Sequence, residues 1–378
     1  MTSQEPRDDA PGHDAQIDEL LRQMTLDEKV ELLAGPTFWT TAPIKRLGIP
    51  AIKVSDGPNG ARGGGSLVGG VKAASFPVAI SLASTWNTAL VEQIGQALGE
   101  EALSKGARVL LAPTVNIHRS TLNGRNFECY SEDPFLSARL GVAYIQGLQS
   151  RGVSATIKHF AGNESEFQRN TINSAIGERA LREIYLPPFE AAVKEAGTWA
   201  VMCAYNRLNG TFASEHPWLL TELLRGEWGY DGIVMSDWFA THSTSIAINA
   251  GLDLEMPGPS KFRGERLLDA LRSGKTSEGT VDESVRRMLR LIARVGAFEN
   301  PEIPAEQAID RPEHRALIRQ AGAEGIVLLK NNGALPLDKQ RVHKLAIVGP
   351  NARTAQIMGG GSAQLNAHYR VTPYDGIV

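Results

Sequence analysis

The sequence predicts an α/β protein in which short buried strands alternate with amphipathic helices. Apolar runs recur along most of the chain, and segments with helical periodicity separate most of them. The runs are apolar throughout rather than alternating, which is typical of parallel strands covered by helices on both faces. The seven candidate strands are residues 51–54, 78–82, 109–111, 155–157, 200–203, 233–235 and 252–254.

The helices are predicted in chain order from periodicity and capping signals. Residues 1–16 are expected to be a disordered, solvated tail, because leucines recur at helical spacing only from about Ile17 onward. Thr25-Leu-Asp-Glu28 matches a capping box, which predicts a helix start at Thr25. The further predicted helices are residues 88–104, 135–149, 178–195 and 217–228.

Residues 17–299 have the usual length of a (β/α)8 barrel. The strand count falls one short of eight, so an irregular barrel and an open doubly wound sheet both remain alternatives. The polar, proline-containing segment 300–315 is predicted to be an interdomain linker. Beyond it, residues 326–329 and 345–348 resemble buried strands. They predict that residues 316–378 are the start of a second, incomplete α/β domain.

Composition excludes several functional classes. Among 378 residues the formal net charge is −3, which gives no basic surface for nucleic acid. The two cysteines, Cys129 and Cys203, exclude a disulfide scaffold, and the histidines lack a metal-ligand spacing, so no metal is expected. No apolar run approaches the roughly 18 residues of a membrane span. The polar, acidic start differs from a signal peptide, so a cytoplasmic location is expected.

Polar side chains follow several of the candidate strands, at the point where each strand ends. They include Asp56, the pair Lys158 and His159, Tyr205 and Asp237. Taken singly, Asp56 could form a turn, His159 could be structural and Asp237 could cap a helix. Because strand ends of a barrel converge on one pocket, the repetition predicts a single polar site.

The predicted site suits a polyhydroxylated ligand. Sugar hydroxyls donate and accept hydrogen bonds, so charged groups of both signs can hold them, and Trp238 can cover an apolar sugar face. The glycine-rich stretch 63–70 lacks the patterns of a phosphate-binding loop. The charged candidates are Asp56, Arg62, Arg125, Lys158, His159 and Arg169.

Five motifs in this order make the sequence resemble family-3 glycoside hydrolases, in the β-glucosidase branch. The resemblance implies a TIM-like (β/α)8 barrel followed by an α/β sandwich domain that is incomplete here. It also implies hydrolysis of β-glycosides with retention, and no cofactor. The motifs are Asp56-Gly-Pro-Asn-Gly60, Gly124-Arg-Asn-Phe-Glu128, Lys158-His-Phe160, Met202-Cys-Ala-Tyr-Asn206 and Ser236-Asp-Trp238.

The same resemblance implies roles for individual residues. Asp237 resembles the catalytic nucleophile, which must be ionised, and the cations Lys158 and Arg125 are expected to favour that form. Asp56 resembles the carboxylate that grips the hydroxyls of the terminal sugar. The further substrate-binding residues that the resemblance implies are Arg62, Arg125, Lys158, His159, Arg169, Met202, Tyr205, Trp238 and Ser362.

The general acid/base is the role that no residue of the sequence takes. In the β-glucosidase branch it is a glutamate of the second domain, which we expect beyond Val378. Residues 161–168 lack the histidine loop of the hexosaminidase branch. Glu128, Glu164 and Glu166 are only weak candidates for this role, so the general acid/base stays unknown.

Three readings follow from these residues. The first is an exo-acting retaining β-glycosidase that releases a terminal β-D-glucosyl residue from a β-glycoside or oligosaccharide. The second is a sugar-binding fragment impaired by the missing acid/base. The third is an unrelated barrel lyase or aldolase with Lys158 as a Schiff-base amine. Apart from the substrate, neither nucleic acid nor a membrane is expected as a partner. Association into a homo-oligomer is left open.

Overall fold

The computed structural model describes residues 13–64 and 70–378. The first helix, His13–Gln23, begins four residues before Ile17, and the rest of the predicted tail, residues 1–12, lies outside the described residues. The next helix, Leu26–Leu32, begins directly after Thr25. The Thr25 and Glu28 side chains form the predicted capping box there.

A sheet of five parallel strands forms the centre of the molecule, in the order β1-β2-β3-β5-β8. A small three-stranded sheet is built from β4, β6 and β7. The central sheet confirms a TIM-like α/β fold, although its named strands, within the described ranges, do not form a closed eight-stranded ring. The strands are β1 (Val54–Asp56), β2 (Val109–Leu111), β3 (Ser154–Phe160), β4 (Asn173–Ser174), β5 (Ala200–Cys203), β6 (Arg207–Leu208), β7 (Thr211–Phe212) and β8 (Ile233–Met235).

Helices cover the central sheet, and two of them pack unusually close together. Thr88–Ser104 is capped by the side chain of Asn87, and Pro134–Gln149 by that of Asp133. Gly147 lies at their contact, where an added Cβ would be 2.0 Å from a backbone oxygen of the partner helix. The helix predicted at 217–228 is present as Trp218–Glu227, with the wider turns of a π-helix. The other α-helices are Ala79–Ala83, Glu178–Ala180, Pro187–Lys194, Ser245–Ala250, Glu265–Arg272, Glu278–Arg294, Pro312–Glu324 and Pro373–Ile377.

Several of the predicted elements differ from the structure. The strand predicted at 51–54 lies instead at Val54–Asp56. Residues 78–82 were expected to be a strand but form the helix Ala79–Ala83, because a short apolar run fits either element. The strand predicted at 252–254 is reduced to an isolated bridge between Leu254 and Met235. The helix predicted at 178–195 changes to wider π turns over Leu181–Tyr185 and begins again at Pro187, because prolines lack the N–H that continues a helix.

The chain beyond the predicted linker forms no strand in the structure. Residues 326–329 and 345–348 are largely solvent-exposed, and Leu329 and Val348 are each 91% exposed. A strand needs neighbours that pair its backbone and cover its side chains, and the described residues offer none there. The helix Pro312–Glu324 nevertheless packs against the helix Thr88–Ser104, where His314 lies between Glu100 and Glu101.

None of the helices in the described part of the chain is long and apolar enough to cross a bilayer.

Candidate active site

A cavity of about 440 Å³ lies at the carboxyl ends of the central strands. Every residue that the sequence analysis assigned to the site lies on its wall, so the structure brings the whole set together. Their individual roles stay predictions. These residues are Asp56, Arg62, Arg125, Lys158, His159, Arg169, Met202, Tyr205, Asp237, Trp238 and Ser362.

Strand β3 contributes two consecutive side chains to this wall. On a regular strand, neighbouring side chains point to opposite faces. The pairing of β3 with β5 shifts register between Ile157 and Phe160, and this irregularity spans Lys158 and His159. Both side chains therefore line the same cavity.

Asp56, at the end of β1, lies between two cations. Its Oδ2 accepts from Arg62 Nη2 at 3.1 Å, and its Oδ1 lies 3.7 Å from Lys158 Nζ. Burial raises the pKa of Asp56, and Lys158 and Arg62 partly oppose that rise. The Asp56 carboxylate is therefore a hydrogen-bond acceptor with a donor on either side. Such an arrangement can bind two neighbouring hydroxyls of a sugar.

Asp237 follows β8 by two residues and is buried apart from its face toward the cavity. Its Oδ1 accepts from the backbone N–H of Trp238 at 2.7 Å, and its Oδ2 lies 3.5 Å from His159 Nε2. Burial raises the pKa of Asp237, while Arg125 and Lys158 act in the opposite direction. The two cations therefore favour the ionised form, as expected, but the cost of desolvating the carboxylate is larger and the net shift is upward.

Tyr205 completes the surroundings of this carboxylate. Burial, together with the neighbouring Asp237 to which it is hydrogen-bonded, raises the pKa of Tyr205 above its usual range. Its hydroxyl therefore stays a hydrogen-bond donor at neutral pH. The guanidinium of Arg169 lies over the Tyr205 ring, 4.6 Å from its centroid, and pairs with Glu166 at 2.6 Å.

Arg125 is held by a buried ion pair beneath the cavity. Its Nε donates to Glu128 Oε1 at 2.6 Å, and the other carboxylate oxygen accepts from Thr114 Oγ1 at 3.0 Å. Burial works to raise the pKa of Glu128, but Arg125, Lys158 and Thr114 together outweigh it and the net shift is downward. Arg125 Nη2 also lies 3.4 Å from Ser362 Oγ, which ties residues after the linker to the barrel.

Aromatic rings form one side of the cavity. The indole N–H of Trp238 donates to the backbone oxygen of Phe38 at 3.2 Å, and its ring lies 5.5 Å from that of Trp39. Phe38 itself lines the cavity. The predicted aromatic cover for a sugar face is thus a cluster whose members are separated widely in sequence.

Sequence reasoning missed several residues of the wall, or named them only as weak candidates. Glu128 and Glu166 were such candidates, and both are engaged in ion pairs with arginines. At Gly359 an added Cβ would lie 2.3 Å from the Phe127 ring, so only glycine allows this approach. The signals available in the sequence were the motif Gly124-Arg-Asn-Phe-Glu128 and the run of three glycines at 359–361. The missed or underrated residues are Phe38, Gly124, Phe127, Glu128, Glu166, Gly359, Gly360 and Gly361.

Within residues 13–64 and 70–378, no group of three or more histidine, cysteine, aspartate or glutamate side chains is arranged to hold a metal ion. The side chains on the cavity wall include carboxylates, cations, a phenol, a histidine and aromatic rings.

Comparison with known proteins gives consistent matches along the chain. Residues 36–291 match the model of the glycosyl hydrolase family 3 N terminal domain, and residues 326–378 match that of the family's C-terminal domain. A β-glucosidase of Rhizobium radiobacter is 65% identical over 96% of this chain and 44% of its own length. β-Glucosidase B of Emericella nidulans is 56% identical over 96% of this chain and 43% of its own length.

Solved structures give the same match. The β-glucosidase of Kluyveromyces marxianus in complex with glucose has a TM-score of 0.92 at 43% identity, covering 96% of this chain and 44% of that one. β-Glucosidase 3B of Thermotoga neapolitana, also with glucose, has a TM-score of 0.90 at 41% identity, covering 96% and 54%. The chain spans less than half the length of the curated relatives described above.

Proposed function

The chain belongs to glycosyl hydrolase family 3, and on that premise we propose that it acts as an exo-acting retaining β-glycosidase. The proposed substrate carries a terminal β-D-glucosyl residue. The observation that carries the proposal is the placement of Asp237, whose carboxylate faces a cavity shared with Asp56, Lys158 and His159. The relatives named β-glucosidase and the glucose complexes of similar structures support the choice of sugar.

In the proposed reaction the Asp237 carboxylate attacks the anomeric carbon of the bound sugar. The bond to the leaving-group oxygen breaks, a covalent glycosyl–aspartate forms, and water then releases the sugar with retention. The raised pKa of Asp237 means that its carboxylate is available only above that pKa. Tyr205 and the backbone N–H of Trp238 are positioned to orient the attacking group.

Sugar binding is assigned to the charged side chains on the cavity wall. Asp56 would accept hydroxyl hydrogens, while Lys158 and Arg125 would donate to hydroxyl oxygens. Trp238 would cover one face of the ring. We assign Arg62, Arg169, Met202 and Ser362 to the wall around this sugar.

The general acid is not assigned to any of the cavity glutamates. Glu128 is paired with Arg125 and Glu166 with Arg169, so neither carboxyl is free to donate a proton to a leaving group. This observation favours the second candidate function, a sugar-binding protein that forms the glycosyl intermediate slowly or not at all.

The test uses the intact protein and 2-deoxy-2-fluoro-β-D-glucosyl fluoride, whose fluoride leaves without protonation. We expect one covalent label per chain, located on Asp237 by mass spectrometry of the digested protein. The Asp237→Asn variant is the matched control, which should bind glucose but take no label. Glucose binding with no label on the wild-type protein would favour the sugar-binding alternative, and a label at another residue would overturn the assignment of Asp237.

A further inference from the structure

Behind His159, on the side away from Asp237, lies a buried polar cluster that the proposed reaction does not use. It consists of Asn116 and Glu164, both almost fully buried. The amide of Asn116 Nδ2 donates to the backbone oxygen of His159 at 3.1 Å and to Glu164 Oε1 at 3.2 Å. Asn116 Oδ1 accepts from the backbone N–H of His159 at 2.8 Å.

These bonds determine which way the Asn116 amide points. A backbone N–H can donate only to the amide oxygen, and a backbone carbonyl can accept only from the amide nitrogen. A flipped amide would therefore lose both hydrogen bonds to the His159 backbone inside a buried site, where an unpaired polar group costs about 1–3 kcal/mol. The side-chain oxygen Oε1 of Glu164 accepts from the same Nδ2 and so supports this orientation.

The orientation of Asn116 in turn determines where the proton of His159 lies. Asn116 Oδ1 is 3.2 Å from His159 Nδ1. Because this oxygen is an acceptor, Nδ1 must carry a hydrogen. Burial, with the cations Arg125, Lys158 and Arg169 nearby, lowers the pKa of His159 well below its usual range, so the ring is neutral. The second nitrogen, Nε2, therefore has a lone pair and no hydrogen.

That lone pair lies on the cavity wall beside the proposed nucleophile. His159 Nε2 is 3.5 Å from Asp237 Oδ2. The phenol of Tyr205 and the carboxyl group of Asp56 also lie near the Asp237 carboxylate. Two acceptors cannot hydrogen-bond to each other, so Nε2 does not bond to the ionised Asp237. It remains free to accept from a donor that enters the cavity.

We propose that Asn116, anchored by Glu164, is a positioning residue that holds His159 as a hydrogen-bond acceptor, and that Nε2 selects a free hydroxyl of the sugar. The identity of the ligand rests on the proposed function, whereas the position of the proton does not. Asn116 acts on the sugar only through His159. The site then discriminates against sugars in which that hydroxyl is replaced by a group that cannot donate.

The proton position is tested by NMR of the intact protein labelled with 15N-histidine, the His159 signal being assigned by its loss in His159→Gln. We expect a protonated Nδ1 and a bare Nε2. Asn116→Leu should abolish this preference, whereas Glu164→Gln, which keeps a carbonyl acceptor, should retain it. A protonated Nε2 in the wild-type protein overturns the proposal, whatever the folding of the variants.

The selection of a hydroxyl is tested with glucose analogues in which single hydroxyls are replaced by hydrogen or by fluorine. Fluorine can accept but cannot donate. At one position we therefore expect both replacements to weaken binding equally, by about three- to tenfold, the value of one hydrogen bond. In His159→Phe that penalty should disappear. Fluoro analogues that bind as tightly as glucose at every position would overturn the inference.

The two proposals fail separately. Asp237 could take no label while the His159 proton lies on Nδ1 and a fluoro analogue binds more weakly than glucose. That result would refute the assignment as an enzyme and support the present inference. If glucose does not bind the wild-type protein, the proposed substrate and the sugar part of this inference are both overturned.

Discussion

The buried ion pair beneath the cavity gives the sharpest stability prediction. Glu128 is 2% exposed, and its carboxylate receives Arg125 Nε at 2.6 Å and Thr114 Oγ1 at 3.0 Å. Glu128→Met keeps the approximate volume of the side chain and removes the charge. The guanidinium of Arg125 then remains in a buried site without the carboxylate to which it is hydrogen-bonded.

The expected cost follows from these surroundings. Removing one partner of a buried ion pair destabilises a protein by about 3–5 kcal/mol. The Arg125 side chain is 12% exposed and lines the cavity, so water reaches one side of it and the lower end of that range applies. The lost acceptor for Thr114 adds about 1 kcal/mol. We expect the free energy of unfolding to fall by about 3–4 kcal/mol in total.

Urea unfolding followed by tryptophan fluorescence measures this change. The matched control is Glu195→Met, which breaks a surface pair with Arg139 at 2.5 Å and should cost less than about 1 kcal/mol. In the double variant Arg125→Met/Glu128→Met most of the stability should return, because no unpaired charge remains.

Although stability returns, the double variant should not be labelled by the glucosyl fluoride, because Arg125 is lost from the cavity. A Glu128→Met variant no less stable than the surface control would refute the reasoning. So would a double variant as unstable as the single one.

Three further predictions concern the pH dependence of Asp237 labelling, the buried ion pairs of Asp253 and the packing of two helices. Labelling of Asp237 by the glucosyl fluoride should decline as the pH falls through its raised pKa, since only the carboxylate attacks. Lys158→Met removes an opposing cation, so its decline should begin at higher pH, and identical pH profiles would contradict this. Asp253→Asn leaves two arginines without their buried counterion at 2.7 and 3.0 Å. It should cost about 3 kcal/mol in urea unfolding, and a loss below about 1 kcal/mol would count against it. Gly147→Ala, with a backbone oxygen 2.0 Å from the new Cβ, should cost about 1–3 kcal/mol, while Gly177→Ala, which meets open space, should stay within about 0.5 kcal/mol. Equal stability of the two alanine variants would contradict this prediction, because it would mean that the two helices move apart at no cost in free energy.

Part of the fold could be predicted because local patterns and tertiary structure agree. The helix Thr88–Ser104 and the strand Val109–Leu111 have the predicted bounds, since periodicity and buried apolar runs determine them directly. Residues 78–82 could not be assigned in this way, because a short apolar run does not distinguish a strand from a helix. Residues 326–329 carry the composition of a buried strand, but the described chain provides no neighbour to pair with them.

The members of the candidate site could be predicted for a related reason. Carboxyl ends of parallel strands meet at one edge of a sheet, so Asp56, Lys158, Tyr205 and Asp237 were expected to converge. Asn116 carried no such signal, because its importance comes from contacts with a residue distant in sequence. The direction of the Asp237 pKa also depended on burial, which residue types near a motif do not reveal.

The amino-acid sequence alone determined the α/β class, the order of most elements and the set of polar side chains at the strand ends. These properties follow from spacing along the chain, which is a local quantity. Tertiary structure decided which groups are desolvated, which carboxylates are already paired and which nitrogen of His159 carries the proton. Those properties depend on distances between residues far apart in the chain, and such distances exist only once the sheet has brought them together.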